Sequence, residues 1–132
     1  MIFVDTSFWV AIRNDADDRH GAALSVIEAH ADTQLLTTNH VRGETWTFLR
    51  RRIGHAAAVD FLDSLGSSPR VELVAVPDED EVVALAWLRR HDEREYSWVD
   101  ATSFATMKRL RIAEAMAFDE DFTAAGFIEL RT

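Results

Sequence analysis

The chain has 132 residues, 48% hydrophobic and 28% charged, with 23 acids against 14 lysines and arginines and a formal net charge of −9. That length predicts one domain, residues 1–132, burying roughly two thirds of its unfolded surface, and the acidity argues against non-specific polyanion binding by the whole surface while leaving room for a local basic track. The absence of cysteine excludes disulfides and thiol catalysis, and with no run of eighteen apolar residues and no leader pattern, a cytoplasmic protein without a membrane span is expected.

Ile2-Phe3-Val4 is short, apolar and β-branched at two of three positions, the pattern of a strand buried on both faces. Asp5 follows at its carboxyl end, where open α/β sheets place ligands. It could equally start a turn or cap the next helix. Residues 7–13 read as a short helix and 14–18 as a polar loop. Residues 19–30 carry Ala23, Val26 and Ile27 at helical spacing. Residues 34–37 read as a second strand. Asn39 is expected to cap a third helix, running to about Arg52 with Val41, Thr45, Phe48 and Leu49 on one face.

Gly54 ends that helix, and 55–65 form another. Residues 71–76 read as a third strand. Pro77 and the acids 78–81 open a helix whose dipole they suit, running to about His91. Ser97 starts the most apolar helix, with Val99, Ala101, Phe104, Met107 and Leu110. Residues 114–118 read as a fourth strand with Asp119 at its end, 121–125 as a helical turn and 127–130 as a last short strand. Alternating strands and helices predict an α/β fold, three-layered, around a mainly parallel sheet of four to five strands with right-handed crossovers.

Four acids stand out by position: Asp5, Glu44, Asp100 and Asp119. Each has an ordinary structural reading. Glu44 could be a solvated helix acid, Asp100 completes a Ser97-x-x-Asp100 capping box, and Asp119 could cap the turn after it. Jointly they say more. Two acids follow strands and two sit near helix starts, so all four converge if the strands before Asp5 and Asp119 are neighbours. Two charges ~6 Å apart repel by roughly 3 kcal/mol at an effective dielectric near 20. Six such pairs sum to on the order of 15 kcal/mol, as much as a domain's whole stability. Such a cluster must stay hydrated, take up protons or bind cations. Oxygen ligands alone favour Mg²⁺ or Mn²⁺, whose common use in this arrangement is phosphodiester hydrolysis.

Four stretches then carry a resemblance: Ile2-Phe3-Val4-Asp5-Thr6-Ser7, residues 39–45 around Glu44, residues 96–104 around Asp100, and residues 117–122 around Asp119 with Gly126-Phe127. In this order and spacing the chain resembles the PIN-domain nucleases, and within them the VapC toxins of bacterial toxin–antitoxin pairs. The resemblance implies a PIN-like fold and a Mg²⁺- or Mn²⁺-dependent endoribonuclease. Asp5 and Asp100 are then expected as direct metal ligands, with Glu44 and Asp119 acting directly or through water. A small polar residue near the metal falls at Thr6 or Ser7. Asp121 reads as a solvated turn residue. The resemblance also implies attack by metal-activated water, a structured RNA substrate (a tRNA or the sarcin–ricin loop of rRNA), a VapB-type antitoxin and a homodimer.

Arg50, Arg51 and Arg52 end the helix carrying Glu44, and Lys108, Arg109 and Arg111 extend the one carrying Asp100. Arg51, Lys108 and Arg111 could form a phosphate track, or simply suit two helix C-termini. The four tryptophans read as core or dimer contacts, and the five histidines, without metal-ligand spacing, as surface residues. Residues 91–96 read as a solvated charged turn. Two other functions fit the size and acidity. A phospho-acceptor receiver domain would need a lysine after a late strand, and the lone Lys108 falls mid-helix. A PIN-like binding module without turnover is opposed by the intact acidic quartet.

Overall fold

The computed structural model describes residues 1–132. Five strands form one parallel sheet: β1 (Ile2–Val4), β2 (Leu35–Thr38), β3 (Val71–Val74), β4 (Glu114–Met116) and β5 (Ile128–Glu129), in the order β3-β2-β1-β4-β5. The sheet is built on β1, which is wholly buried. Phe3 pairs with Leu36 on one side and Ala115 on the other, so every β1 residue faces protein on both sheet faces. That explains its unbroken apolar run.

Helices α1 (Thr6–Arg13), α2 (His20–Ala29), α3 (Asn39–Arg52) and α4 (His55–Ser67) connect β1 to β2 and β2 to β3. Helices α5 (Asp78–Arg90) and α6 (Trp98–Leu110) return the chain to β4, and the short α7 (Asp121–Ala124) leads to β5. The strand order changes direction after β3, so right-handed crossovers send α1–α4 to one face and α5–α7 to the other. The core joins both layers: Phe3, Phe8, Phe61, Phe104, Phe122 and Met107 are all fully buried. Phe104 stacks against Phe127 and meets Phe122 and Trp87 edge-on. The two layers touch where α3 and α6 begin. There His40 Nδ1 lies 3.2 Å from Thr102 Oγ1, and its ring lies beside Trp98.

The sequence reading differs at several ends. Helix α3 is capped by Thr38, whose Oγ1 accepts from the Val41 N–H at 3.1 Å. Asn39 is instead the first helical residue, and its Oδ1 accepts from the Val76 N–H at 2.9 Å. That bond diverts Val76 from the sheet, so β3 stops at Val74. Strand β4 stops at Met116 because the next N–H groups turn to side chains: Phe118 donates to Ser7 Oγ at 3.0 Å. The histidines are not all at the surface; His20 and His40 are half-buried, and His20 Nδ1 contacts the Ala11 carbonyl at 2.7 Å. Of the tryptophans, Trp9 and Trp87 are core, whereas Trp98 is 38% exposed.

Candidate active site

The carboxyl ends of β1 and β4 lie side by side, with Val4 paired to Met116. Asp5 therefore emerges next to the segment that leads to Asp119. Asp5 is the N-cap of α1: its Oδ2 accepts from the Ser7 N–H at 3.1 Å and from Ser7 Oγ at 2.8 Å. Since Ser7 Oγ also accepts from Phe118, one hydroxyl links the Asp5 turn to the Asp119 segment. Asp100 comes from the other layer. It closes the capping box of α6, with its N–H donating to Ser97 Oγ at 2.9 Å and its Oδ2 accepting from the Ser97 N–H at 3.0 Å. The cap therefore uses one oxygen of Asp100: Oδ2 fixes the side chain and Oδ1 is left over.

A cavity of about 450 Å³ opens over these residues, lined by Asp5, Glu44, Asp100 and Asp119 among thirteen residues. All four acids expected from the sequence line it. Thr6 Oγ1 is buried in the same wall without a hydrogen-bond partner. Of the two small polar candidates, Ser7 is committed to Asp5 and Phe118, whereas the Thr6 hydroxyl is uncommitted. Asp100, Asp119 and Asp121 each offer a carboxylate oxygen within 4.8 Å of the others.

Asp121 departs from its sequence reading as a solvated turn residue. Its side chain is only 16% exposed. The cause is local: Glu120 takes a left-handed conformation, φ 66°, which turns the chain so that the Asp121 N–H reaches back to Asp119 Oδ1 at 3.2 Å. Arg94 completes the turn, donating Nε to Asp121 Oδ1 at 2.6 Å and a guanidinium N–H to the Asp119 carbonyl at 3.0 Å. The loop of residues 91–97 is thereby tied to the site. Nothing in the sequence pattern marked Arg94, because its role depends on a turn 25 residues away.

The electrostatics follow from this crowding. Burial raises the Asp5 carboxyl well above the usual range, and the charges of Asp119 and Asp100 push the same way against the Ser7 hydrogen bonds. Burial pushes Asp100 up to about 7; Asp119 and Asp121 add to the rise, and hydrogen bonds from Ser97 oppose it. Asp119 rises to about 6, through burial first and Asp121 second. Burial and like charge both disfavour the ionised carboxylates, and a cation held among them would offset both. An all-oxygen donor set of this kind suits a hard divalent ion.

The expected basic residues are placed differently. Arg51, Lys108 and Arg111 are exposed, and none lines the cavity. Helix α6 runs back against the strand direction, which carries its cations away from the acids. Arg111 ends up beside Met1, Leu36 and Glu72, at the edge where β1 begins. The cations that do line the cavity are Arg19 and Arg52.

Residues 2–128 match the PIN domain family. Mycobacterium tuberculosis VapC20, described as a 23S rRNA-specific endonuclease, is 54% identical over 132 residues in two strains, covering 99% of this chain and 98% of that protein. The crystal structure of M. tuberculosis VapC20, described as a sarcin–ricin loop cleaving toxin, superposes with a TM-score of 0.94 at 52% identity over 100% of both chains. With an acidic cavity at the carboxyl edge of a parallel sheet, a family match over nearly the whole length and a near-identical solved fold, the chain belongs to the PIN-domain family.

Proposed function

We propose that this chain is a VapC-type endoribonuclease toxin that cuts the sarcin–ricin loop of large-subunit rRNA and so stops translation. The observation that carries this reading is the meeting of Asp5, Glu44, Asp100 and Asp119, from four separate segments, in one cavity of a chain 54% identical to an rRNA endonuclease. A receiver-type phospho-acceptor and a silent binding module both lose to it. A receiver would need a lysine after a late strand, where the lone Lys108 lies within α6, and a silent module would not need the full acidic quartet.

Asp5, Asp100 and Asp119 are the residues that would hold Mg²⁺ or Mn²⁺, with Asp121 beside them and Glu44 reaching in from α3. A bound ion of this kind supplies Lewis acidity to the phosphodiester and lowers the pKa of the attacking water. The chain's own groups do the rest. Ser7 and the Ser97 cap each fix one carboxylate by one oxygen, leaving the other free. The raised Asp100 and Asp119 carboxyls bind protons until a cation displaces them.

The partners proposed are the RNA, a VapB-type antitoxin that covers the acidic cavity, and a second copy of the chain. Such a toxin acts in the cytoplasm, where ribosomes are; no helix here is long and apolar enough to cross a membrane. The test is incubation of the protein with an rRNA fragment carrying the sarcin–ricin loop. We expect cleavage with Mg²⁺ or Mn²⁺, none with EDTA, and a loss of at least a hundredfold in Asp5→Asn and in Asp100→Asn. Cleavage persisting in both variants would reject the assignment. Mapping RNA 5′ ends after brief induction in cells identifies the bond cut.

A further inference from the structure

The cavity poses an electrostatic problem that the acids alone do not solve. Six of its thirteen lining residues are acids, yet the substrate proposed above is a polyanion. A metal ion neutralises the phosphate being cut and leaves its neighbours facing negative walls. The wall contains two cations, Arg19 and Arg52.

Both arginines lie against an aromatic ring, and Arg19 is also tied to a backbone carbonyl. Arg19, the N-cap of α2, lies 5.4 Å from the centre of the Phe118 ring and donates to the Phe118 carbonyl. Arg52, the last residue of α3, lies 5.2 Å from the centre of the Phe48 ring. An arginine laid on an aromatic face keeps its planar fork of donors free at the edge. Neither forms an ion pair, although Asp17 and Asp18 share the wall; Asp17 bonds the Arg19 backbone N–H at 2.8 Å instead. Both guanidinium groups are thus oriented, exposed at the surface and unneutralised.

Their positions relate to the acids by fold. Glu44, Phe48 and Arg52 repeat every four residues along α3, so one stripe of the helix runs from the acidic cluster to the cation. At 1.5 Å per residue, Arg52 lies ~12 Å along the axis from Glu44. Arg19 is anchored to the segment after β4, which lies on the other side of β1 from the strand that leads into α3.

We propose that Arg19 and Arg52 are a pair of phosphate clamps, gripping the RNA backbone on the two sides of the phosphate that the acidic cluster engages. A phosphodiester offers two oxygens that a guanidinium fork can take together. The inference rests on the nuclease reading and deepens it: the pair would define the path of the strand across the site. Clamps of this kind allow a protein of net charge −9 to hold RNA at one place and repel it elsewhere.

The test measures binding of a fluorescent RNA hairpin bearing the sarcin–ricin loop by anisotropy, from 50 to 300 mM NaCl, in an Asp100→Asn parent that does not turn it over. Arg52→Gln is the cleaner variant, since its only anchor is Phe48. Arg19→Gln and the pair follow, with Arg51→Gln as a neighbouring control. Each clamp variant should bind roughly tenfold more weakly. Each should also lower the slope of log affinity against log salt by about 0.7–0.9. Arg52→Lys should restore the slope and part of the affinity. Melting curves separate these effects from misfolding, which would not change the slope by one ion per arginine. Affinity and slope equal to the parent's in both Gln variants overturn the clamps while leaving the nuclease reading intact. A parent that does not bind the hairpin, or that still cuts it, overturns both.

Discussion

Asp100 shows how one side chain can cap a helix and still line the cavity. Its Oδ2 accepts the Ser97 N–H, which any capping acid would do, and the carboxylate so fixed lies within ligand distance of Asp119 and Asp121. Asp100→Asn keeps an acceptor for the cap and removes the charge. The variant should therefore lose cleavage yet melt about 5 °C higher than the parent at pH 8 without metal. A lower melting temperature would mean that the negative charge, not the cap, holds this helix end. Asp121 makes the opposite case. A half-buried acid two residues after another is unremarkable as text. Its place in the cluster comes from the left-handed Glu120 and from Arg94, neither visible as periodicity or motif. Arg52 was equally hidden beside Arg51: seven and eight residues from Glu44 are both compatible with one helix face, and only the cavity wall decides between them.

At the scale of elements, the legible parts were those with local causes. The three buried residues of β1 announce a central parallel strand, and Ser97-x-x-Asp100 announces a helix start, because each is set by neighbours within four positions. The ends of α3 and β3 were not legible. Thr38 and Asn39 are both good caps, and the choice between them is made by the Val76 N–H, 37 residues away. Ser97→Ala tests how much the α6 cap matters. It removes the Oγ acceptor of the Asp100 N–H. Stability should fall by about 1 kcal/mol. Because that bond sets the helix turn whose Ser97 N–H holds Asp100 Oδ2, the affinity for Mn²⁺, read by calorimetry, should fall as well. A variant that loses stability but keeps its metal affinity would show that the Ser97 N–H holds Asp100 without the Oγ cap.

For the molecule as a whole, the acidic cavity makes stability depend on pH in a definite direction. Asp5, Asp100 and Asp119 all have carboxyls raised in the folded state, to about 7 for Asp100 and about 6 for Asp119. Groups raised in this way stabilise the fold below their unfolded values, and that contribution is lost as pH climbs through the folded ones. The metal-free protein should therefore melt at progressively lower temperature between pH 5 and pH 8. Saturating Mg²⁺ or Mn²⁺ should cancel most of the fall, since the ion replaces the protons. Melting curves across that range, with EDTA and with metal, check both parts. A metal-free curve that is flat or rises would mean that the acids are hydrated rather than crowded.

The segment after β4 has a consequence of another kind. No ladder bond holds residues 117–121. The N–H groups of Phe118, Glu120 and Asp121 go to Ser7, Glu129 and Asp119, and the carbonyls of Ala117, Phe118 and Asp119 are taken by Arg131, Arg19 and Arg94. Residues from both ends and the middle of the chain thus converge on one pentapeptide. Grafting that pentapeptide alone into a distant relative would leave it without its distributed supports. Drift at any one of these positions is tolerable only with compensating change at the others, so the set should be inherited, exchanged and engineered as a unit.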